Sequence, residues 1–416
     1  MKILVLNAGS SSQKSCLYEL AEALPESPLA PLWEAKIDWT GKSEVALLKV
    51  ETSQGQSLEE EFPVAERQKA TGFGMTSLTA QMLNTLWRGK TQVIAQLSEI
   101  DVVGHRVVHG GQEYSEATVV TPEVKAAIKQ LTALAPEHNP VNLEGIEAIE
   151  QILEQVPQVA VFDTAFHSQL PLAAAVYPGP YEWFEKGIRR YGFHGISHQY
   201  VASRAAQLLG KDLKSLRLIT CHLGNGCSLA AVRNGVCVDT TMGYTPLEGL
   251  MMGTRSGSVD PGILIQLMRE GYDAETLNNI LNKQSGLKGL SGLSGDMRQI
   301  KKAMEQENSR AQLAFDVYVH RLRSHIGAML ASLGGLDALV FTGGVGENSA
   351  LVRSAAVEAF KFLGVKLDEQ KNQAPPADTD IAVTDSAIRV LVVHTQEDWA
   401  IASECWKLAK SGKFAN

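Results

Sequence analysis

At 416 residues the chain is too long for one ordinary hydrophobic core, so two or three domains are expected. Hydrophobic residues at 44% and charged residues at 20% are the ordinary balance of a soluble globular protein. A net charge of -8, with no Lys/Arg-rich run, argues against a nucleic-acid surface. Five cysteines (16, 221, 227, 237 and 405) include no Cys-x-x-Cys and cannot all pair, which fits a reducing, cytoplasmic compartment.

Met1-Lys-Ile-Leu-Val-Leu-Asn7 starts like a signal peptide, but its apolar part stops after four residues, well short of a secretory core. The apolar, uncharged stretch 326–336 is also far too short to span a bilayer. Residues 3–6 therefore read as a first β-strand, delivering Asn7-Ala-Gly-Ser-Ser-Ser-Gln-Lys14. A buried strand ending in small polar residues and a lysine is a phosphate-loop arrangement, although no G-x-x-x-x-G-K-[S/T] occurs; the competing reading is a Ser-rich turn. Residues 20–70 read as irregular and polar.

Residues 100–103 form a strand running into Gly104-His-Arg-Val-Val-His-Gly-Gly111. His105 and His109 are four apart, but an extended segment separates them by roughly 13 Å, which rules out a shared zinc. Arg106, set between glycine turns, is the more informative group. Thr121-Pro122 opens an amphipathic helix with Val124, Ile128, Leu131 and Leu134 on one face. Ala135-Pro-Glu-His-Asn-Pro140 then exposes His138 on a stiff loop, and Asn142 caps a second helix through Leu153. The strand at 158–162 ends in Asp163, a carboxylate where α/β proteins place ligands, with a helix N-cap as the alternative. Tyr191-Gly-Phe-His-Gly-Ile-Ser-His198 precedes a helix capped by Ser197, and the cap between His194 and His198 disfavours a zinc pair.

Residues 217–221 lead into His222-Leu-Gly-Asn-Gly-Cys-Ser228, followed by a hairpin turning at Asn234-Gly235. The layout strand, glycine/polar loop, strand thus occurs at 3–18 and again at 217–240, an echo that suggests two similar lobes. Thr245-Pro-Leu-Glu-Gly-Leu-Met-Met-Gly-Thr-Arg-Ser-Gly-Ser-Val-Asp-Pro261 has too many glycines for a helix and too little alternation for a strand. It presents Arg255 just before a helix opened by Asp260-Pro261, a good place for a phosphoryl group. A second Gly/Ser-rich segment, 286–298, leads into a helix, and a long helix at 309–333 carries a core stripe, with His320 and His325 nearby. A strand at 337–341 delivers Thr342-Gly-Gly-Val-Gly-Glu-Asn348 as a third glycine loop, and a strand at 389–393 precedes a terminal helix beginning at His394-Thr-Gln-Glu-Asp398.

Repeated strand-to-glycine loops, an apparent duplication and isolated arginines without a P-loop fit the actin/hexokinase/Hsp70 type of ATPase better than a Rossmann or protein-kinase pattern. Eight blocks then resemble the acetate kinase family in family order. They are Asn7-Ala-Gly-Ser-Ser-Ser, Gly104-His-Arg-Val-Val-His-Gly-Gly, His138-Asn-Pro, Phe162-Asp-Thr-Ala-Phe-His, Tyr191-Gly-Phe-His-Gly, His222-Leu-Gly-Asn-Gly, Pro246-Leu-Glu-Gly-Leu-Met-Met-Gly-Thr-Arg-Ser-Gly and Phe341-Thr-Gly-Gly-Val-Gly-Glu-Asn. The resemblance spans essentially residues 1–405.

It implies an α/β, two-lobed, duplicated actin-like ATPase (ribonuclease H-like) fold closing on a cleft, and a homodimer. The lobes would be residues 1–163 with the returning 396–416, and a nucleotide-binding 164–395. The implied reaction is reversible Mg²⁺-dependent phosphoryl transfer between ATP and acetate, giving ADP and acetyl phosphate, with Mn²⁺ as a candidate substitute metal. Carried over by position, Asn7 and Glu397 would lie at the metal. Lys14, His222, Leu223, Gly224, Asn225, Gly226, Asp296, Met297, Arg298, Gly344, Val345, Gly346, Glu347 and Asn348 would contact ATP. Arg106 and Arg255 would hold the acetate carboxylate and the migrating phosphoryl, with His194 beside it and Asp163 as the residue usually termed catalytic. Val108, Phe193 and Pro246 would line the methyl pocket, with His138 among the substrate-binding residues.

Two departures stand out. Glu137 occupies a position that is usually apolar, so either it points away from the acid or the pocket differs; and Thr-Gln-Glu-Asp stands where Thr-Asn-Glu-Glu is usual. Competing readings are a propionate or butyrate kinase, a nucleotide switch of the actin or Hsp70 kind, and a histidine/carboxylate metallohydrolase. The product separates them.

Overall fold

The computed structural model describes residues 1–9, 12–42, 45–63 and 73–414. They fall into two compact units, Met1–Ala165 with Gln396–Asn416, and Phe166–Thr395. Each carries one mixed sheet.

In the first unit the strands are β1 (Lys2–Ala8), β2 (Ser12–Glu19), β3 (Trp33–Lys42), β4 (Val45–Thr52), β5 (Ser57–Pro63), β6 (Val102–Val107), β7 (Thr118–Val119) and β8 (Gln158–Phe162), ordered β5-β4-β3-β2-β1-β6-β8-β7. β1 through β5 pair antiparallel, whereas β1, β6 and β8 run parallel. β1 reads Ile-Leu-Val-Leu without alternation because both of its faces are covered. Leu4 and Leu6 join a core with Trp33, Ile37, Leu48, Met82, Leu86 and Ile149, supplied by the neighbouring strands and by helices Phe73–Trp87 and Asn139–Ile152. On the other side helix Glu397–Lys410 approaches so closely that a Cβ on Gly104 would stand 2.6 Å from Cys405 Sγ and 2.7 Å from Ile401 Cγ2. Gly104 is therefore inside β6, not a turn, and Arg106 is a strand residue.

The expectation of irregular structure over 20–70 is overturned by β3, β4 and β5. Their alternation is genuine, with Ala35 and Ile37 buried beside Ala46, Leu48 and Val50. The outward positions are charged, including Lys36–Asp38 and Lys49–Glu59 pairs, and this charge makes the stretch look like loop. Residues 10 and 11 of the first glycine/serine loop, and 43–44 and 64–70 of this stretch, lie outside the described residues.

The second unit holds β9 (Arg217–Leu223), β10 (Cys227–Arg233), β11 (Val236–Thr240), β12 (Ala338–Thr342), β13 (Thr379–Asp380) and β14 (Arg389–Val392), ordered β11-β10-β9-β12-β14-β13. β9, β12 and β14 are parallel, and β10–β11 is the expected hairpin, with Asn234 and Gly235 both left-handed at φ 56° and 81°. Helix Gly195–Leu209 packs Val201, Ala202 and Ala205 against Leu218, Ala230, Val340 and Leu391. Helix Ser309–Leu333 buries Phe315, Val319, Leu322, Ile326 and Leu333 as its stripe predicts, and Tyr318 Oη meets Cys227 Sγ at 3.5 Å. The arrangement seen at 3–18 recurs at 217–240: an antiparallel hairpin whose first strand continues into a parallel pair.

Candidate active site

In the first unit the carboxyl ends of β1, β6 and β8 bring charged groups together, where ligands sit in parallel sheets. Arg106 donates from Nε (3.1 Å) and Nη2 (2.6 Å) to Asp163 Oδ2, and from Nη1 to Asn7 Oδ1 at 3.3 Å. Asn7 in turn donates from Nδ2 to Asp398 Oδ1 at 3.1 Å. Lys14 reaches Asp398 at 3.0 Å and Glu34 at 3.4 Å. Asp163 is buried, at 1% exposure. Burial opposes the charge on Arg106, but Asp163, with Glu397 and Asp398 nearby, holds the guanidinium above its ordinary value. Burial likewise opposes the charge on Lys14, but Asp398, Cys16 and Glu34 together hold the ammonium above its ordinary value.

Two asparagines splint the loops around this cluster. Asn142 accepts from the Val108 amide at 3.1 Å and donates to the Ala8 carbonyl at 3.0 Å; Asn139 accepts from the His109 amide at 3.1 Å. Asn142 was expected to be an N-cap. Instead the helix begins at Asn139, because Pro140 suits the first turn and His138 becomes the N-cap residue. His138 is half-buried rather than exposed, whereas Glu137 is exposed.

In the second unit His194 has a left-handed backbone, φ 57°, and is itself the N-cap residue of helix Gly195–Leu209. Ser197, the expected cap, lies in the first turn, with its Oγ 2.8 Å from His222 Nδ1. His194 stacks on His222 with ring centroids 4.3 Å apart, and its Nδ1 lies 2.8 Å from Ser228 Oγ. Arg255 donates from Nη1 to the Pro246 carbonyl at 3.3 Å. A Cβ on Gly226 would stand 3.4 Å from His194 Nε2 and 3.7 Å from Arg255 Nη1, so all three converge. The central loop is tied to its neighbours at Gly253, where a Cβ would fall 2.3 Å from Asn225 Oδ1 and 3.1 Å from the Gly295 carbonyl. Its exit is as expected: Asp260 accepts from the Gly262 amide at 2.8 Å ahead of helix Pro261–Arg269. Phe193 is buried, and its carbonyl lies 3.0 Å from His167 Nε2.

Beside this group is a cavity of about 1150 Å³, lined by Gly224, Asn225, Asp296, Met297, Arg298, Gly344, Val345 and Asn348. Gly295, Lys301, Ser349, Ala350, Leu351, Ser354 and Gln373 complete the wall. Ser349 had a local signal, since it caps helix Ala350–Glu358, but Gln373 had none. His222, Leu223, Gly226, Gly346 and Glu347 do not line the cavity, and Lys14 belongs to the first unit's charge cluster. The expected third glycine loop is a short helix, Gly343–Asn348. Glu347 turns back to accept from the Gly343 amide at 2.8 Å and the Thr395 amide at 3.0 Å, and lies 2.5 Å from His394 Nδ1. Burial alone would raise the Glu347 carboxyl, yet these donors hold it below its ordinary value. Asp398, which received no role from the sequence, is the hub of the first cluster.

The chain matches the model of the acetokinase family over residues 2–403. It is 65% identical to the acetate kinase of Nostoc punctiforme, over 99% of this chain and all of that one. It is 64% identical to the acetate kinase of a Nostoc species over the same shares. Among solved structures, Porphyromonas gingivalis acetate kinase matches with a TM-score of 0.88 at 41% identity, covering 98% of this chain and 99% of that one. A propionate kinase from Francisella tularensis matches at 0.83 and 36% identity, covering 97% and 98%.

Proposed function

We infer the reaction from one premise: the chain belongs to the acetokinase family, and it has the duplicated actin-like fold of that family. It transfers a phosphoryl group between ATP and acetate, forming ADP and acetyl phosphate. The observation that carries this reading is the convergence of His194 and Arg255 on Gly226, next to a cavity walled by Gly224 and Asn225. A guanidinium and an imidazole then stand where a cavity-bound nucleotide would present its terminal phosphate.

Acetate has a carboxyl pKa of about 4–5, like side-chain carboxyls, and is already ionised at neutral pH. No general base is required. One carboxylate oxygen forms a bond to the γ-phosphorus in line, the bond to the β,γ-bridging oxygen breaks, and ADP leaves with the electron pair. The work is positioning and charge neutralisation. Arg106 meets the acid's carboxylate, and Arg255 and His194 meet the equatorial oxygens. Asp163 holds Arg106 by two hydrogen bonds to a single oxygen, which fixes the guanidinium plane and keeps it charged. Its role is orientation rather than proton removal. Val108, Phe193 and Pro246 are assigned to the methyl group, and His138 to the neighbourhood of the acid. Gly224, Asn225, Asp296, Met297, Arg298, Gly344, Val345 and Asn348 take the nucleotide.

Asn7 and Glu397 would hold Mg²⁺, with Asp398 beside them. The fit is chemical: carboxylate and amide oxygens suit a hard cation, and Mn²⁺ accepts the same donors. When bound, the ion would supply charge neutralisation for the transferring phosphoryl group.

Ile263, Ile265, Met268 and Tyr272, all exposed on or just after helix Pro261–Arg269, support a homodimer. Five free, buried cysteines support a cytoplasmic location. A longer acid is the second reading, favoured by the likeness to a propionate kinase, since one methylene is worth only about 1–3 kcal/mol of discrimination.

The test is hydroxylamine trapping of acyl phosphate with ATP, Mg²⁺ and acetate, propionate or butyrate, on wild type and Arg255→Ala. Hydroxamate from acetate, less with each added carbon, and its loss in the variant support the reading. A preference for a longer acid moves the substrate. ATP hydrolysis without hydroxamate from any acid sinks the kinase assignment.

A further inference from the structure

Arg190, Glu248 and Tyr177 meet at the opening of the loop that carries Arg255. Arg190 bridges the segment leading into His194 and the residues 240–248. Its Nη1 donates to the carbonyls of Thr240, Thr241 and Met242, at 3.0, 3.1 and 3.2 Å, and its Nη2 to Glu248 Oε1 at 2.8 Å. The Tyr191 amide joins the same two segments by donating to the Gly243 carbonyl at 3.0 Å. The Tyr177 hydroxyl donates to Glu248 Oε2, and its oxygen accepts from the Tyr244 amide at 2.9 Å. Burial, with Glu248 beside it, pushes the Tyr177 phenol above its ordinary value, so it keeps its hydrogen at neutral pH. The three side chains leave no room where they meet, since a Cβ on Gly243 would overlap both Glu248 Oε2 and Tyr177 Oη.

We propose that Arg190, Glu248 and Tyr177 are positioning residues that hold the central loop so that Arg255 faces the same point as His194. This rests on the assignment of Arg255 to the phosphoryl group made above. Glu248 stands two residues beyond Pro246, whose carbonyl accepts from Arg255 Nη1 at 3.3 Å. Fixing Glu248 from outside the loop therefore fixes the carbonyl that seats the guanidinium. Beyond Glu248 the loop is closed by Ser258, whose amide donates to the Gly249 carbonyl at 3.0 Å and whose hydroxyl accepts from the Gly249 amide at 3.0 Å. Arg190 itself lies four residues ahead of His194, so the guanidinium that holds Glu248 stands on the segment that carries the imidazole.

The geometry asks for arginine rather than for positive charge. A planar fork addresses a row of carbonyls with one nitrogen and a carboxylate with another, whereas a lysine ammonium is a compact point charge. None of the three residues lines the cavity beside Gly224 and Asn225, so the seat of the nucleotide does not depend on them.

The experiment pairs kinetics with a ¹⁵N–¹H correlation spectrum of the full chain labelled at arginine, in which the Arg255 side chain is identified by the signal lost in Arg255→Lys. Glu248→Ala should shift that signal. It should also lower kcat for acyl phosphate formation about tenfold, the equivalent of one well-made hydrogen bond. The KM for ATP should stay within about twofold. Arg190→Lys should behave like Glu248→Ala although it keeps the charge, while Glu248→Gln, which can still accept from Arg190, recovers most of the rate. Tyr177→Phe serves if Glu248→Ala does not fold, with a smaller change in the same direction. An unmoved Arg255 signal overturns the proposal whatever happens to the rate, as does a wild-type kcat in Glu248→Ala. A wild-type rate in Arg190→Lys overturns the part given to the fork. An Arg255→Ala enzyme with full turnover overturns the assignment of Arg255 itself, which is a separate failure.

Discussion

The two units use the same strand order for opposite purposes. β3-β2-β1-β6-β8 in the first corresponds to β11-β10-β9-β12-β14 in the second, each a hairpin with a third antiparallel strand outside it and two parallel strands beyond. At the carboxyl ends of its parallel strands the first unit sets charge against charge, Arg106 with Asp163 and Lys14 with Asp398. The second unit sets imidazoles, hydroxyls and glycines there, beside an open cavity, and turns Glu347 onto backbone amides. A small carboxylate needs a positive charge already fixed in place, whereas a polyphosphate needs room and many donors. On the reading proposed above, one strand order serves both through what it carries at its strand ends.

The comparison breaks most severely at Asp163. Asp163→Ala strands Arg106 without its buried carboxylate, at a cost of about 3–5 kcal/mol in chemical denaturation. The hydroxamate assay should show kcat/KM lower by about 10³-fold, as expected when transition-state charge stabilisation is lost. Asp163→Asn with near-normal turnover and intact fold would remove the orienting role. The second unit has its own buried guanidinium, Arg353, but all its partners are neutral. Nε reaches Asn372 Oδ1 at 2.8 Å, Nη1 reaches the Gly346 and Glu347 carbonyls at 2.7 and 2.8 Å, and Nη2 reaches the Asn372 carbonyl at 2.6 Å. Burial pulls its pKa down to about 10, so it stays charged at neutral pH. Arg353→Met leaves those oxygens unanswered and should cost about 2–4 kcal/mol. It should raise the KM for ATP more than that for acetate, because Gly346 and Glu347 belong to the helix beside the cavity; an equal rise in both counts against this division of labour.

Acid sharpens the comparison by acting on both units alike. Burial lowers His105 in the first unit and His167 in the second to about 4. The unfolded chain takes up these protons first, near the ordinary value of about 6.5. Stability is therefore complete above about pH 6.5 and declines as pH falls toward 4, by up to about 1.4 kcal/mol per pH unit for each histidine. Denaturant midpoints across that window should fall in wild type and fall less in His105→Gln. A flat wild-type profile overturns the prediction.

What was legible in the sequence was mostly what short segments decide by themselves. The strand 158–162, the Asn234-Gly235 hairpin, the Asp260-Pro261 helix start and the stripe of 309–333 each carry their signal within a few neighbours. Arg106 and Asp163 stood out separately, and the structure puts them 2.6 Å apart. What was hidden depends on distant partners. Asn142 looks like a cap until its amide is seen donating to Ala8, 134 positions away. Glu347 looks available to a ligand until the chain around Thr395 returns to it, 48 positions on. Asp398 acquires meaning only because the terminal helix comes back to lie beside Asn7 and Lys14.

The smallest effect tests why the first sheet could extend past its counterpart. β4 and β5 add two strands to the first unit, and β5 ends the sheet order with Glu59, Glu60 and Glu61, all exposed. Exposed charges of this kind contribute less than about 0.5 kcal/mol to folding. Their larger effect is on association, because a charged edge strand discourages pairing with the edge of another molecule. Replacing all three with serine should leave the denaturation midpoint within about 0.5 kcal/mol of wild type, while light scattering on prolonged incubation rises. A drop in stability with no scattering would mean that these carboxylates hold the fold itself, and that the extension of the first sheet depends on charge rather than on Trp33, Ile37 and Leu48 beneath it.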